Sequence, residues 1–318
     1  MYERMFSMEL TLVLAQKIGG LAIIIALGFL AVRLKILKFD DAGPLNKFAL
    51  YYLTPCAMLD AYQYEFSMDK LAGMGISLLA SLIVVATFTI LTILIKKPMK
   101  LNVIEYTSMA YPNAGNFMLP LIASALGGDW VIYLSPCFFV MNILMFTHGQ
   151  AVLSGENRFH ISMITKNVVM MANILGMVMF LLHWQLPGVL GSTVTALGDM
   201  MGPTYMFTIG MIVGSANLKE VFTNRRAWVI TIGRLIFYPL VAVVVLRLSG
   251  VFRIAPQARE IITVAALTAA APAAVMVTQF TQMYRTEPEA HFASAVNILT
   301  TILCLLTMPL IAYVYSIL

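Results

Sequence analysis

Charge is scarce in this sequence. Lysine, arginine, aspartate and glutamate together make up 11% of its 318 residues, where soluble domains carry roughly 25%. Hydrophobic residues reach 60% and the mean hydropathy is +0.88, which excludes an ordinary soluble domain. Cysteine is nearly absent too. Cys56, Cys137 and Cys304 share no metal-like spacing and read as small core-filling residues. His148 and His183 sit near the ends of apolar runs with no second ligand spaced to complete a metal site. Neither a metal nor a cofactor is expected. Gly-x-Ser-x-Gly and His-Glu-x-x-His are both missing. The tetrapeptide ALGD at 196–199 resembles part of an intramembrane aspartyl protease motif, but Ala196 spoils it and no partner Tyr-Asp pair exists. A membrane hydrolase is therefore not the expectation.

What the chain does have is apolar runs long enough to cross a hydrocarbon core of about 30 Å. They predict an all-α membrane protein with ten spans at 11–32, 44–61, 70–95, 102–126, 130–153, 165–184, 190–215, 227–248, 259–281 and 292–317. The residues ahead of the first run include Glu3, Arg4 and Glu9, which does not suit a cleaved signal peptide. The net charge of +5 is informative through its distribution. With the N-terminus outside, the inner loops hold thirteen basic residues, among them Arg33, Lys96, Arg158, Lys166, Arg225 and Arg285. The outer side holds six, and Arg234 falls within a span. This asymmetry places both termini on the extracellular or periplasmic side of the cell membrane.

The longest polar stretch in the middle of the chain, 154–164, divides the spans five and five, into halves at 1–153 and 165–318. An odd number per half forces opposite orientations, a construction common in secondary transporters. Each half carries a proline in its second span (Pro55, Pro203) and another in its fourth (Pro112, Pro272). Pro112 and Pro272 lie about 15 and 20 Å into their spans at 1.5 Å per residue, close to the bilayer midplane. Proline removes an N–H and clashes with the preceding turn. Broken backbone at that depth is tolerated only when buried in protein or lining a wet cavity. Two such breaks in equivalent spans predict two interrupted helices meeting at one site, where half-helix N-termini can face an anion.

Four stretches carry a family resemblance. YPNAGNFMLPLIASALG (111–127), with Asn113, Gly115 and Pro120, resembles the fourth-helix motif of the auxin efflux carrier family. APAAVMVTQFTQMY, with Pro272 and Tyr284, is similar to that family's ninth-helix motif; LNKFALYYLTPCAML and VMNILMFTHG resemble its second and fifth helices. The resemblance implies ten helices, a crossover of helices four and nine, and alternating-access transport of organic anions. Within the family, short bacterial members are associated with malonate or malate and plant members with auxin. Asn116, Met118 and Met276 depart from the usual pattern beside the crossover, which bears on the substrate rather than the fold.

The site residues follow from the breaks. Asn113, just past the first, can donate to a carboxylate; the alternative is that it only caps the second half-helix. Asn116 lies one turn on. Pro112, Gly115, Pro272, Ala273 and Met276 shape the site, and Asn142 faces it from span five or serves an interhelical bond. Gln279 and Asn297 have the same two readings. Asp199 is the acid most clearly inside a span, a candidate for proton coupling or a structural partner of Arg234. Glu105 reads as an inner-vestibule acid or a solvated interface residue, and Asp60 as interfacial. The partners expected are a small organic anion and the lipid bilayer, with H+ or Na+ as coupling ion and no nucleic acid; a homodimer stays open. A passive anion channel or uniporter and a non-translocating sensor are the rival classes.

Overall fold

A computed structural model of the chain describes residues 2–155 and 167–317, with side chains described from residue 15 onward. Arg158 and Lys166, and most of the expected inner link at 154–164, fall outside the described residues. All regular structure described is helical, apart from one isolated bridge between Pro112 and Ala273.

Five stretches are long and apolar enough to cross a membrane: Ala15–Arg33, Met68–Lys96, Gly128–Ser154, Arg225–Leu248 and Glu287–Ile317. The first belongs to α1 (Tyr2–Arg33). Two short helices, α2 (Ala42–Phe48) and α3 (Thr54–Asp60), follow as one run joined by a π-turn at Ala49–Leu53. Helix α4 (Met68–Lys96) is capped by the Ser67 hydroxyl, which accepts from the Lys70 N–H. At 29 residues it reaches about 43 Å, more than the hydrocarbon core needs.

The fourth expected span is broken. Helix α5 (Val103–Ala110) opens on a reciprocal cap between Asn102 and Glu105 and stops at Tyr111, whose backbone is extended. Proline explains the stop, because the residue before it is pushed out of the helical region. Helix α6 (Met118–Ala125) resumes after a turn. Next come α7 (Val131–Leu144), a π-turn at Met145–Gly149 and α8 (Gln150–Ser154). The second part contains α9 (Val168–Leu181), α10 (Gly188–Ser215), α11 (Leu218–Thr223), α12 (Arg225–Ile232) and α13 (Tyr238–Leu248). Helices α14 (Ala258–Ala269) and α15 (Val275–Tyr284) flank the second break at Pro272, and α16 (Glu287–Ile317) closes the described chain. Pro55 and Pro203 behave differently: one sits in the first turn of α3 and the other inside an uninterrupted α10.

Helices α1 and α10 touch backbone to backbone. A Cβ added at Gly28 would lie 2.0 Å from the Phe207 carbonyl oxygen, and one at Gly210 2.0 Å from that of Ile25. Lipid gives apolar side chains no reason to seek each other, so close backbone approach at small residues is how membrane helices gain packing.

Candidate functional site

The two breaks pair with each other. The Asn113 N–H donates to the Pro272 carbonyl at 2.9 Å, and the Ala274 N–H donates to the Tyr111 carbonyl at 3.0 Å. These bonds form the short antiparallel bridge between Pro112 and Ala273. The sequence led us to expect the freed backbone to await an anion. Part of it is instead consumed by the opposite break, because buried amides and carbonyls need partners with or without a ligand.

The residues on either side of the bridge are also held. Ala273 donates its N–H to Thr300 Oγ1 at 3.2 Å and accepts from the Asn297 side-chain amide at 2.9 Å. The interhelical bond is one of the two readings the sequence allowed for Asn297, whereas Thr300 was not singled out there. The signal was present, since positions 297 and 300 are one turn apart on one helix face.

Beside the bridge lies a cavity of about 80 Å³. Pro112, Asn113, Gly115, Asn116, Asn142 and Met276 all line it, so most of the expected site residues come together. Pro272 and Ala273, also expected there, are not among its lining residues and take part through the bridge instead. Tyr111, Thr54 and Asn167 complete the cavity's polar wall. Asn113 is only 4% exposed, and its side-chain amide has no protein partner among the described residues. It does not cap α6: the contact to that helix is its backbone carbonyl, which accepts from Met118 N–H at 3.3 Å. Asn142 spends its NH₂ on the Phe138 carbonyl at 2.8 Å, leaving its side-chain oxygen as an acceptor.

Among the described residues, no charged side chain lines the cavity. What it meets instead is the start of α15, where Val275 and Met276 line the wall and their N–H groups precede the first intrahelical bonds. Helix α6 begins two residues after Asn116. Such ends carry partial positive charge and favour an anion.

Residues 14–312 match the family described as membrane transport proteins. The chain belongs to that family. The match agrees with the resemblance to auxin efflux carriers carried by the fourth- and ninth-helix motifs. No curated protein matches the chain at a significant level. Together with the apolar helices, family membership makes this a multi-pass membrane protein.

In this membrane transport protein the two expected acids lie away from the cavity. Glu105 is 3% exposed rather than solvated. Its carboxylate accepts from Arg226 Nε at 2.5 Å and Nη2 at 3.0 Å, and from the Asn102 N–H at 2.9 Å. Asp199 is exposed and does not pair with Arg234. It lines a separate cavity of about 510 Å³ with Asp60 and Lys17, and Asp60 accepts from the Thr195 hydroxyl at 2.5 Å.

Arg234 is fully buried, 5.1 Å from the Phe88 ring centre, and reaches the Met109 carbonyl at 3.5 Å. Its Nε and Nη2 have no hydrogen-bond partner among the described residues. His148, considered only as a metal ligand, meets the cavity-lining Tyr111 hydroxyl through Nδ1 at 2.5 Å. That contact had no sequence signal, because 37 residues separate the pair.

Proposed function

We propose that this membrane transport protein is a secondary carrier of a small organic anion, a carboxylate of malonate, malate or auxin-like class. In this reading ten spans form two inverted halves, 1–153 and 165–318, with both termini outside the cell membrane. The interrupted helices cross at Pro112 and Pro272, and the anion binds at the crossing during alternating access. One observation carries it: the mutually paired breaks border a cavity that offers helix N-terminal N–H groups and an Asn113 amide with no partner among the described residues, and none of the described lining side chains is charged. A carboxylate there gains hydrogen bonds without first having to displace a fixed counter-ion.

Asn113 would donate to the carboxylate, Asn116 and Asn142 would bound it, and Pro112, Gly115, Pro272, Ala273 and Met276 would shape the site. Proton coupling would run through Asp199 or Glu105, neither of which lines the anion cavity. One is exposed in a different cavity, and the other is held by a guanidinium.

Ligand-induced thermal stabilisation of the purified protein tests the reading, with malonate, malate and indole-3-acetate as probes. A hydrogen bond to a charged group is worth about 1.5–3 kcal/mol, so Asn113→Ala should weaken the stabilising anion roughly ten- to a hundredfold. Wild-type affinity in that variant would remove Asn113 from the site. Counter-substrate exchange in proteoliposomes separates a carrier from a channel, which shows no exchange acceleration.

A further inference from the structure

A second, larger cavity of about 930 Å³ lies on the other side of α15 and shares Val275 with the first. One of its walls is a single stripe of α16. Glu287, His291, Ser294, Asn297 and Thr301 all line it, and their spacing of four, three, three and four residues keeps them on one helical face. The stripe runs about 21 Å along the axis. It begins at a carboxylate in the first turn of α16 and passes Asn297, whose NH₂ holds the Ala273 carbonyl at the break.

Two features indicate what this cavity takes. The first is charge: among the described residues its wall includes the carboxylates of Glu220 and Glu287 and no lysine or arginine. Such a wall disfavours the anion proposed for the first cavity. The second is Thr301. It is 4% exposed, lies on the wall of the cavity, and its hydroxyl has no protein partner among the described residues. The neighbouring hydroxyls do: Thr300 donates to the Val296 carbonyl at 2.8 Å, Ser294 to Ala290 at 2.9 Å and Thr278 to Ala293 at 3.3 Å. A hydroxyl with no protein partner on a cavity wall is available to whatever fills the cavity.

Because the Asn297 NH₂ is committed to Ala273, its side-chain oxygen is left as an acceptor, one helical turn from the Thr301 hydroxyl. Neutral oxygens at the deep end, with carboxylates elsewhere in the wall, suit a monovalent metal cation. A divalent ion is usually held by carboxylates directly. We propose that this second cavity is a binding site for a monovalent metal cation, held at its deep end by Asn297 and Thr301. Through Asn297, Ala273 and Val275 the ion would bear on the same break that forms the anion cavity. The cation site stands on its own, whereas its coupling to anion movement rests on the carrier reading above.

The test uses the purified full chain with no organic anion present. Thermal unfolding is followed in NaCl, KCl, LiCl and choline chloride at one chloride concentration. At least one metal chloride should raise the unfolding temperature saturably above choline. Thr301→Val should raise the half-saturating concentration at least tenfold, and Thr301→Ser should restore it. Equilibrium binding of ²²Na⁺ or ⁸⁶Rb⁺ to the wild-type protein, expected near one ion per chain, gives a readout should Thr301→Val fail to fold. Equal unfolding temperatures in all four chlorides with no ion bound would overturn the proposal. So would a wild-type cation response in Thr301→Val, or a response to pH alone. Loss of the cation effect with anion stabilisation intact would sink this site and leave the carrier reading standing; the converse would sink only the carrier reading.

Discussion

Asn297 donates its side-chain amide to the carbonyl of Ala273 at 2.9 Å, across a sequence separation of 24 residues. An asparagine on an unbroken helix thus holds open backbone at the break of another. Asn113 stands on the opposite side of the same bridge with its amide uncommitted. Two residues of one type have different jobs, and they should fail differently.

Asn297→Ala should lower stability even without ligand. It strips the side-chain partner from the Ala273 carbonyl, and an unsatisfied buried acceptor costs about 1–3 kcal/mol. Asn113→Ala removes no protein hydrogen bond and should stay within about 0.5 kcal/mol of wild type. Thermal unfolding of both variants in ligand-free buffer checks the contrast, and equal destabilisation would refute it.

Arg234 should prove dispensable for folding and indispensable for transport. Its buried guanidinium is poorly satisfied, touching the Met109 carbonyl near the end of α5 and leaving two nitrogens without a hydrogen-bond partner among the described residues. Replacing such a charge with an apolar side chain of similar size is often neutral or stabilising. Arg234→Met should therefore unfold no more than about 1 kcal/mol more easily than wild type. Transport should be lost, because the negative end of the α5 half-helix loses its cation. A large drop in unfolding temperature would mark Arg234 as structural instead.

The α1–α10 contact gives a prediction with an internal control. Gly28→Ala places a methyl 2.0 Å from a backbone oxygen, so the helices must separate, at a cost of about 1–3 kcal/mol for overpacking. Gly75 lies within α4 with nothing near its would-be methyl. Gly75→Ala should be neutral or stabilise by up to about 1 kcal/mol, the usual helix-propensity difference. Denaturation of the two variants side by side would show whether backbone proximity sets the sign.

The orientation proposed from the basic-residue asymmetry is tested by labelling. In a background without the natural cysteines, Met68→Cys should react with an impermeant reagent only from outside, and Phe222→Cys only from inside. Both positions are exposed, Met68 71% and Phe222 41%, so accessibility does not confuse the result. The reverse pattern would sink the orientation and the inverted halves with it.

Much of the architecture was legible because its causes are local. Hydropathy depends on a window of neighbours, and proline acts on its own turn, so the breaks at 112 and 272 could be placed from the chain. Family membership was legible in the motifs around Asn113 and Pro272. Among the described residues five helices satisfy length and hydropathy, while two expected spans are interrupted and others are shorter or less apolar.

By itself, then, the sequence determined that the chain is a helical membrane protein of a transport family, where two helices break, and which asparagine follows the first break. Tertiary structure alone decided what each freed group meets. Glu105 and Arg226 are 121 residues apart, and their pairing depends on how two helix starts approach, which no local pattern encodes. The same is true of Asn113 against Pro272, Asn297 against Ala273 and Arg234 against Met109 and Phe88. In a medium without water every polar group must find a partner inside the protein. Which partner it finds is set by the packing of distant helices, and that is a property of the whole bundle.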